Sequence, residues 1–99
     1  MTMLETLRKS TFEPHLNSVF TLLLEDEALL PLTLVEVSTL HGDPGAARAP
    51  FCILFEGPQK PVLVQGIYPL QHAQLEPMSL FLVPVGPGDQ CMRYEAIFN

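Results

Sequence analysis

Apolar and polar residues alternate with a period of two along most of the chain, which is the pattern of half-buried β-strands. Six such segments are separated by residues that favour turns. The predicted strands are residues 18–25, 29–40, 50–56, 66–72, 78–85 and 92–98, with 62–65 as a further short pairing segment. No stretch has a helix-length apolar period, so the fold class is all-β, a small antiparallel barrel or sandwich.

Two of these strands carry irregularities. Alternation in the second strand changes phase after Leu34, so that Val35 and Val37 become the apolar pair. This slip predicts a β-bulge near Leu34, and the alternative is that both faces of the strand are covered. Pro69 cannot donate a ladder hydrogen bond, which places its strand at an edge or a bulge.

The last two strands differ in pattern. Residues 78–85 are apolar on both faces, which predicts a central strand covered on both sides, and residues 86–89 carry a strong turn signal. In the last strand one set of alternate residues is predicted to face the core, namely Met92, Tyr94, Ala96 and Phe98.

One short helical turn is predicted before the first strand. Residues 10–13 have the form of a capping box, with Ser10 as the cap and Glu13 three positions later. Pro14 limits the helix to a single turn, and Asn17 tolerates the left-handed conformation that closes it.

The length and charge of the chain narrow its possible functions. Ninety-nine residues fit one domain, residues 1–99, with no room for a separate cofactor-binding domain. The net charge of −6 argues against nucleic acid and anionic membranes as partners, because both require a basic surface.

Targeting features and cysteine content predict a soluble, cytoplasmic protein. The N-terminus lacks the order of basic and apolar residues of a secretory signal, and no apolar run reaches the roughly 20 residues of a membrane-spanning helix. Cys52 and Cys91 are too few to staple a secreted mini-domain, and reduced thiols are expected.

Few residues offer chemistry. His41 and Asp43 lie two positions apart on a predicted loop, but two ligands make a poor metal site. His72 is expected to be half-buried and bonded to a backbone carbonyl, because no partner nucleophile is identifiable. Tyr68 and Tyr94 complete the set of weak candidates for a binding loop. No cofactor is predicted, and the protein is not expected to be an enzyme.

Glu36 lies mid-strand among valines, and two orientations remain open for it. An outward carboxylate on a half-solvated strand is favoured. If the phase slip turns Glu36 inward, Arg93 is the candidate partner.

Several blocks of the chain resemble a small bacterial domain family of unknown function. They are Thr6-Leu7 with Phe12, residues 34–37, Pro50-Phe51 with Leu54-Phe55, residues 66–72, residues 80–87 and residues 92–99. The resemblance spans the whole chain. It implies association with phage-tail-like proteins, because members are often encoded beside tail-collar-like components. It implies no catalytic residues.

Three functional hypotheses follow. The first is a non-catalytic interaction or assembly module that binds a protein partner or a second copy of itself. The second is a barrel that binds a small ligand or glycan, with Tyr68, Tyr94 and the loop around His41 as polar contacts. The third is a metal-dependent enzyme built on His41, Asp43 and a remote histidine.

Overall fold

A computed structural model describes residues 7–40 and 50–98, and it confirms the all-β prediction. Six antiparallel strands form a closed barrel, preceded by a short helix α1 and a 3₁₀ turn at Glu13–His15. The elements are α1 (Lys9–Phe12), β1 (Val19–Leu23), β2 (Leu29–Thr39), β3 (Phe51–Gly57), β4 (Gly66–His72), β5 (Leu75–Gly88) and β6 (Cys91–Phe98).

The barrel consists of two three-stranded meanders. Its strand order is β1-β2-β3-β6-β5-β4, so strands that follow one another in sequence are neighbours within each half. At the β3–β6 seam every residue of β3 has a register partner. At the β1–β4 seam only Thr21↔Gln71 and Leu22↔Leu70 are paired. The barrel is therefore closed much more extensively on one side than on the other.

The core fills the barrel interior with one cluster of apolar side chains. Alternate residues of every strand point inward, and β3 shows the strictest alternation of buried and half-buried residues. The largest fully buried side chains are Tyr94, Phe12, Phe20, Phe51, Phe55, Leu22, Leu32, Leu34, Ile53, Leu70, Leu80 and Leu82.

Helix α1 closes one end of the barrel with Phe12. The ring of Phe12 lies 5.5 Å from the ring of Phe98 and 6.1 Å from the ring of Phe51, measured between centroids. Phe51 and Phe98 are register partners on β3 and β6, and their rings stack at 4.5 Å. These aromatic contacts fasten the N-terminal segment to the seam between the two meanders.

The predicted bulge in β2 is confirmed. Leu34 pairs with Phe55 and Glu36 pairs with Leu54, so Val35 is the extra residue. Leu34 is buried before the bulge, and Val37 packs against the core after it. Glu36 points outward, as favoured from the sequence.

The interpretation of residues 78–85 as a strand covered on both faces is wrong. Met78, Leu80 and Leu82 are buried, but Phe81 on the opposite face is exposed, because no second layer within residues 7–40 and 50–98 covers this face. The strand also continues through the predicted turn to Gly88. Gly86 lies at a register shift with φ near +113°, a conformation that favours glycine.

The N-terminal turn begins earlier than predicted. Helix α1 begins at Lys9, and the backbone N–H of Arg8 donates to Thr11 Oγ1 at 3.0 Å, so Ser10 is not the cap. Asn17 has a φ of 70°, which confirms the predicted left-handed residue. Residues 62–65 form no strand.

Pro69 lies where β4 loses its partner on one side. Leu70 is the last residue of β4 paired with β1, while Pro69 is still paired with Ser79 of β5. Pro69 has no register partner on β1, so it occupies a local edge within a closed barrel, a position where a residue without an N–H is tolerated.

Candidate functional site

A groove opens on the outside of the barrel where β1 and β4 diverge. It has a volume of about 830 Å³ and lies between the end of β1, the start of β4 and the loop that precedes β4. We call it the β1–β4 groove. It is lined by Leu23, Leu24, Glu25, Asp26, Pro61, Val62, Leu63, Val64, Ile67, Tyr68 and Pro69.

The loop that precedes β4 forms one wall of the groove, and two hydrogen bonds hold it in place. Leu63 is buried, and its backbone N–H donates to Tyr94 Oη at 2.9 Å. Tyr68 Oη donates to the carbonyl oxygen of Val64 at 2.6 Å. Leu63 therefore anchors the loop in the core, while Val62 and Val64 on either side of it stay exposed.

Large apolar side chains surround the groove on the outer surface. Val62, Val64 and Ile67 line it, and register pairing places Phe81 opposite Ile67 and Leu29 opposite the lining residue Leu23. We call Leu29, Val62, Val64, Ile67 and Phe81 the apolar patch, whose members are between 51% and 76% exposed. Clustered exposed apolar groups of this kind mark interaction surfaces.

The end of the groove at the β1–β2 turn is acidic. Glu25 and Asp26 are exposed lining residues. Asp26 Oδ1 accepts the backbone N–H of Ala28 at 3.1 Å, which shapes the turn. The two ion pairs found among the described residues, Lys9–Glu13 and Arg93–Glu56, involve neither of these carboxylates.

His72 lies at the other end of β4 in a chain of hydrogen bonds. Its Nδ1 accepts the backbone N–H of Gln74 at 3.0 Å, and its Nε2 lies 2.9 Å from Ser18 Oγ. Ser18 Oγ donates to the carbonyl oxygen of His15 at 2.6 Å. Because Nδ1 is an acceptor, neutral His72 carries its proton on Nε2 and donates it to Ser18.

This direction of hydrogen bonding does not suit nucleophilic catalysis. A general-base histidine must accept the serine proton, whereas Ser18 already donates that proton to a backbone carbonyl. Burial lowers the pKa of His72, and the nearby ring of His15 lowers it further. His72 is thus a half-buried structural histidine, but its backbone partner is an N–H and not the carbonyl that the sequence predicted.

The outer face of β3 and β6 carries Cys52 and Arg93. Arg93 Nε lies 3.4 Å from a carboxylate oxygen of Glu56, its register partner, and not beside Glu36. Cys52 and Cys91 are both free. Burial raises the pKa of the Cys52 thiol, and the carboxylates of Glu95 and Glu36 raise it further, so this thiol is poorly suited to act as a nucleophile.

Of the predicted site residues that the structure describes, Tyr68 and Tyr94 bind the same loop before β4, whereas His72 lies apart from both. His41 and Asp43 lie outside the described residues. Tyr94 is fully buried in the core, and its hydroxyl oxygen accepts the Leu63 N–H, so it does not present a polar contact to a ligand. Tyr68 lines the groove on β4, whereas His72 lies at the far end of that strand beside a smaller depression of about 380 Å³.

Sequence reasoning missed the groove residues Leu23, Val62, Val64 and Ile67. A local signal points to two of them, Val62 and Val64. Val62 and Val64 flank a buried leucine in a segment bounded by Pro61 and Gly66, which is too short for a strand.

The described part of the chain contains neither a metal-binding cluster nor a membrane-spanning helix. Within residues 7–40 and 50–98, no group of three or more His, Cys, Asp or Glu side chains is arranged to hold a metal ion. No helix in these ranges is long and apolar enough to cross a membrane.

The fold and the groove define a class of protein, a small closed antiparallel β-barrel with an apolar groove on its outer surface. Residues 7–98 match the family model described as Domain of unknown function (DUF6916), and the chain belongs to this family. Comparison with curated proteins and with solved structures gave no match.

Proposed function

We propose that the protein is a non-catalytic interaction or assembly module that binds a protein partner, or a second copy of itself, through the apolar patch. The patch is the observation that carries the proposal. Its five large side chains leave apolar surface in water that a binding partner would cover.

The arrangement of the patch supports a protein partner. Ile67 and Phe81 are opposite one another on neighbouring strands, and Val62 and Val64 extend the apolar surface across the groove. A surface of this form spans several elements and suits another folded chain or segment.

We infer a component of a phage-tail-like system in a bacterial cell, because the blocks of sequence described above resemble a family associated with such components. A cytoplasmic location is supported by the two free cysteines, since reduced thiols persist in that compartment.

Size-exclusion chromatography with light scattering tests the proposal. The full chain is measured alone and mixed with the purified products of neighbouring genes. We expect a dimer or a complex, and we expect Ile67→Lys to weaken it, since a buried charge is costly at an apolar interface. Val85→Lys is the matched control, an exposed β5 side chain outside the patch. A monomer that binds none of these proteins would contradict the proposal.

A second candidate function is binding of a small ligand or glycan. The groove volume of about 830 Å³ favours it, because ligand sites commonly measure roughly 300–1,000 Å³. Tyr68 is the aromatic side chain that lines this groove. Titration of a panel of mono- and oligosaccharides, followed by amide chemical shifts, tests this function. Shifts that cluster at Tyr68 and Ile67 would support it, and unchanged spectra at millimolar sugar would exclude it for that panel.

A further inference from the structure

We propose that the β1–β4 groove binds an extended segment of a protein partner, a segment with apolar side chains and a Lys or Arg at the end that reaches Glu25 and Asp26. This inference rests on the proposed function and names the form of the partner at the same surface.

The seam between β1 and β4 is incomplete beside the groove. Residues 66–69 of β4 have register partners on β5 but none on β1, whose pairing with β4 stops at Leu22↔Leu70. One side of this part of β4 is therefore a strand edge, and strand edges pair with extended chains. The lack of an N–H at Pro69 confines such pairing to the stretch before it, around Ile67.

Apolar side chains form the walls beside this edge. A peptide that lies along β4 at Ile67 has the exposed side chains of Val62 and Val64 next to it, on a loop that Leu63 anchors. Alternate side chains of an extended segment point to the same face, so one set can contact these valines. Recognition of this kind takes its affinity from backbone pairing and its specificity from side-chain pockets.

The charge of the groove favours a basic occupant. Glu25 and Asp26 line one end of the groove, so a basic residue of the occupant is favoured there. A second copy of the chain is a poorer occupant. With 11 acidic and 5 basic residues, it would bring mostly like charge to this end. Among the basic residues, Lys9 and Arg93 already pair with Glu13 and Glu56.

Selection from a random peptide display library against the full-length protein tests the proposal. We expect enrichment of sequences with alternating apolar residues and a terminal Lys or Arg. An enriched peptide is then synthesised with a fluorescent label, and its affinity is measured by anisotropy. Ile67→Lys should weaken binding about tenfold or more, as expected for a central contact.

Matched variants locate the binding site. Val64→Asp changes a groove side chain outside the strands and should also weaken binding, so the test does not depend on how β4 tolerates a substitution. Val85→Lys and Val19→Lys change exposed valines that do not line the groove, and we expect affinity within about twofold of the unchanged protein. Circular dichroism of each variant confirms that it folds.

The charge arm of the test replaces Glu25 and Asp26 with lysine. We expect weaker binding of the basic peptide, stronger binding of an analogue with a terminal Glu, and a smaller difference at high salt. The proposal is overturned if no peptide is enriched, or if the groove and control variants bind equally. A dimer broken by Ile67→Lys but not by Val85→Lys, with no enriched peptide, would also overturn it and leave the interaction function standing.

Discussion

His72 shows how one side chain can make stability depend on pH. Its Nδ1 accepts the Gln74 N–H, and protonation of Nδ1 removes that acceptor while placing a charge beside His15 and Phe20. Burial of the ring, and secondly the charge of nearby His15, hold the folded-state pKa of His72 below its usual value of 6.5.

We expect the melting temperature to fall as the pH drops below 6.5. The unfolded chain binds a proton at His72 more readily than the folded chain, so the free energy of unfolding decreases from 6.5 down through the folded-state pKa and is unaffected by this group above 6.5. Thermal melts measure the slope, and His72→Gln should flatten it. An equal slope in the variant would assign the effect to other groups.

Gly57 is a residue where close packing decides which side chain fits. An added Cβ would meet Leu32 Cδ2 at 2.7 Å. We expect Gly57→Ala to cost about 1–3 kcal/mol of unfolding free energy in urea titrations, as for other overpacked cores. Gly66→Ala is the control, because its Cβ would meet Tyr68 at 3.8 Å, an ordinary contact. Equal losses in both variants would refute the steric explanation.

At the scale of elements, helix α1 stabilises the barrel mainly through one side chain. Phe12 is fully buried against Phe51 and Phe98, whereas Leu16, one turn later, is 41% exposed. We expect Phe12→Ala to cost about 3–5 kcal/mol in urea titrations, as for other buried aromatic residues. Leu16→Ala should cost less than about 1 kcal/mol. A small loss for Phe12→Ala would mean that the barrel end is stable without its cap.

The sequence correctly predicts the strands in which burial follows the alternation of apolar and polar residues. The bulge after Leu34 and the inward set of β6 follow from period-two patterns, because one face of each strand is buried. The outer face of β5 was mispredicted since Phe81 is apolar yet exposed beside Ile67. Whether Phe81 is buried or exposed depends on residues that are close to it in the fold but distant in sequence.

The candidate site was less predictable than the fold. The β1–β4 groove combines the end of β1, the loop before β4 and the start of β4, and the short β1–β4 register sets their spacing. No local sequence pattern predicts where the pairing between β1 and β4 ends, because the two strands are far apart in sequence. The residues with the most suggestive chemistry, Tyr94 and His72, serve the core and the hydrogen-bonded end of β4 instead.

At the scale of the whole molecule, a single core unites both meanders. The buried residues of all six strands, with Phe12 and Leu63, belong to one apolar cluster. We expect one cooperative thermal transition, with far-ultraviolet and near-ultraviolet circular dichroism giving the same midpoint. Separate midpoints would show that the meanders unfold independently.

The arrangement of the strands in two meanders also affects the order in which strand contacts form during folding. Pairing within β1–β2–β3 and within β4–β5–β6 joins strands that follow one another in sequence, so these contacts close short loops. The β3–β6 seam pairs Phe51 with Phe98, and it forms only after a long stretch of chain has been brought together. Because long-range closure slows folding, we expect the docking of the two halves to limit the folding rate. The less extensive β1–β4 seam would then be a place where the native barrel opens first.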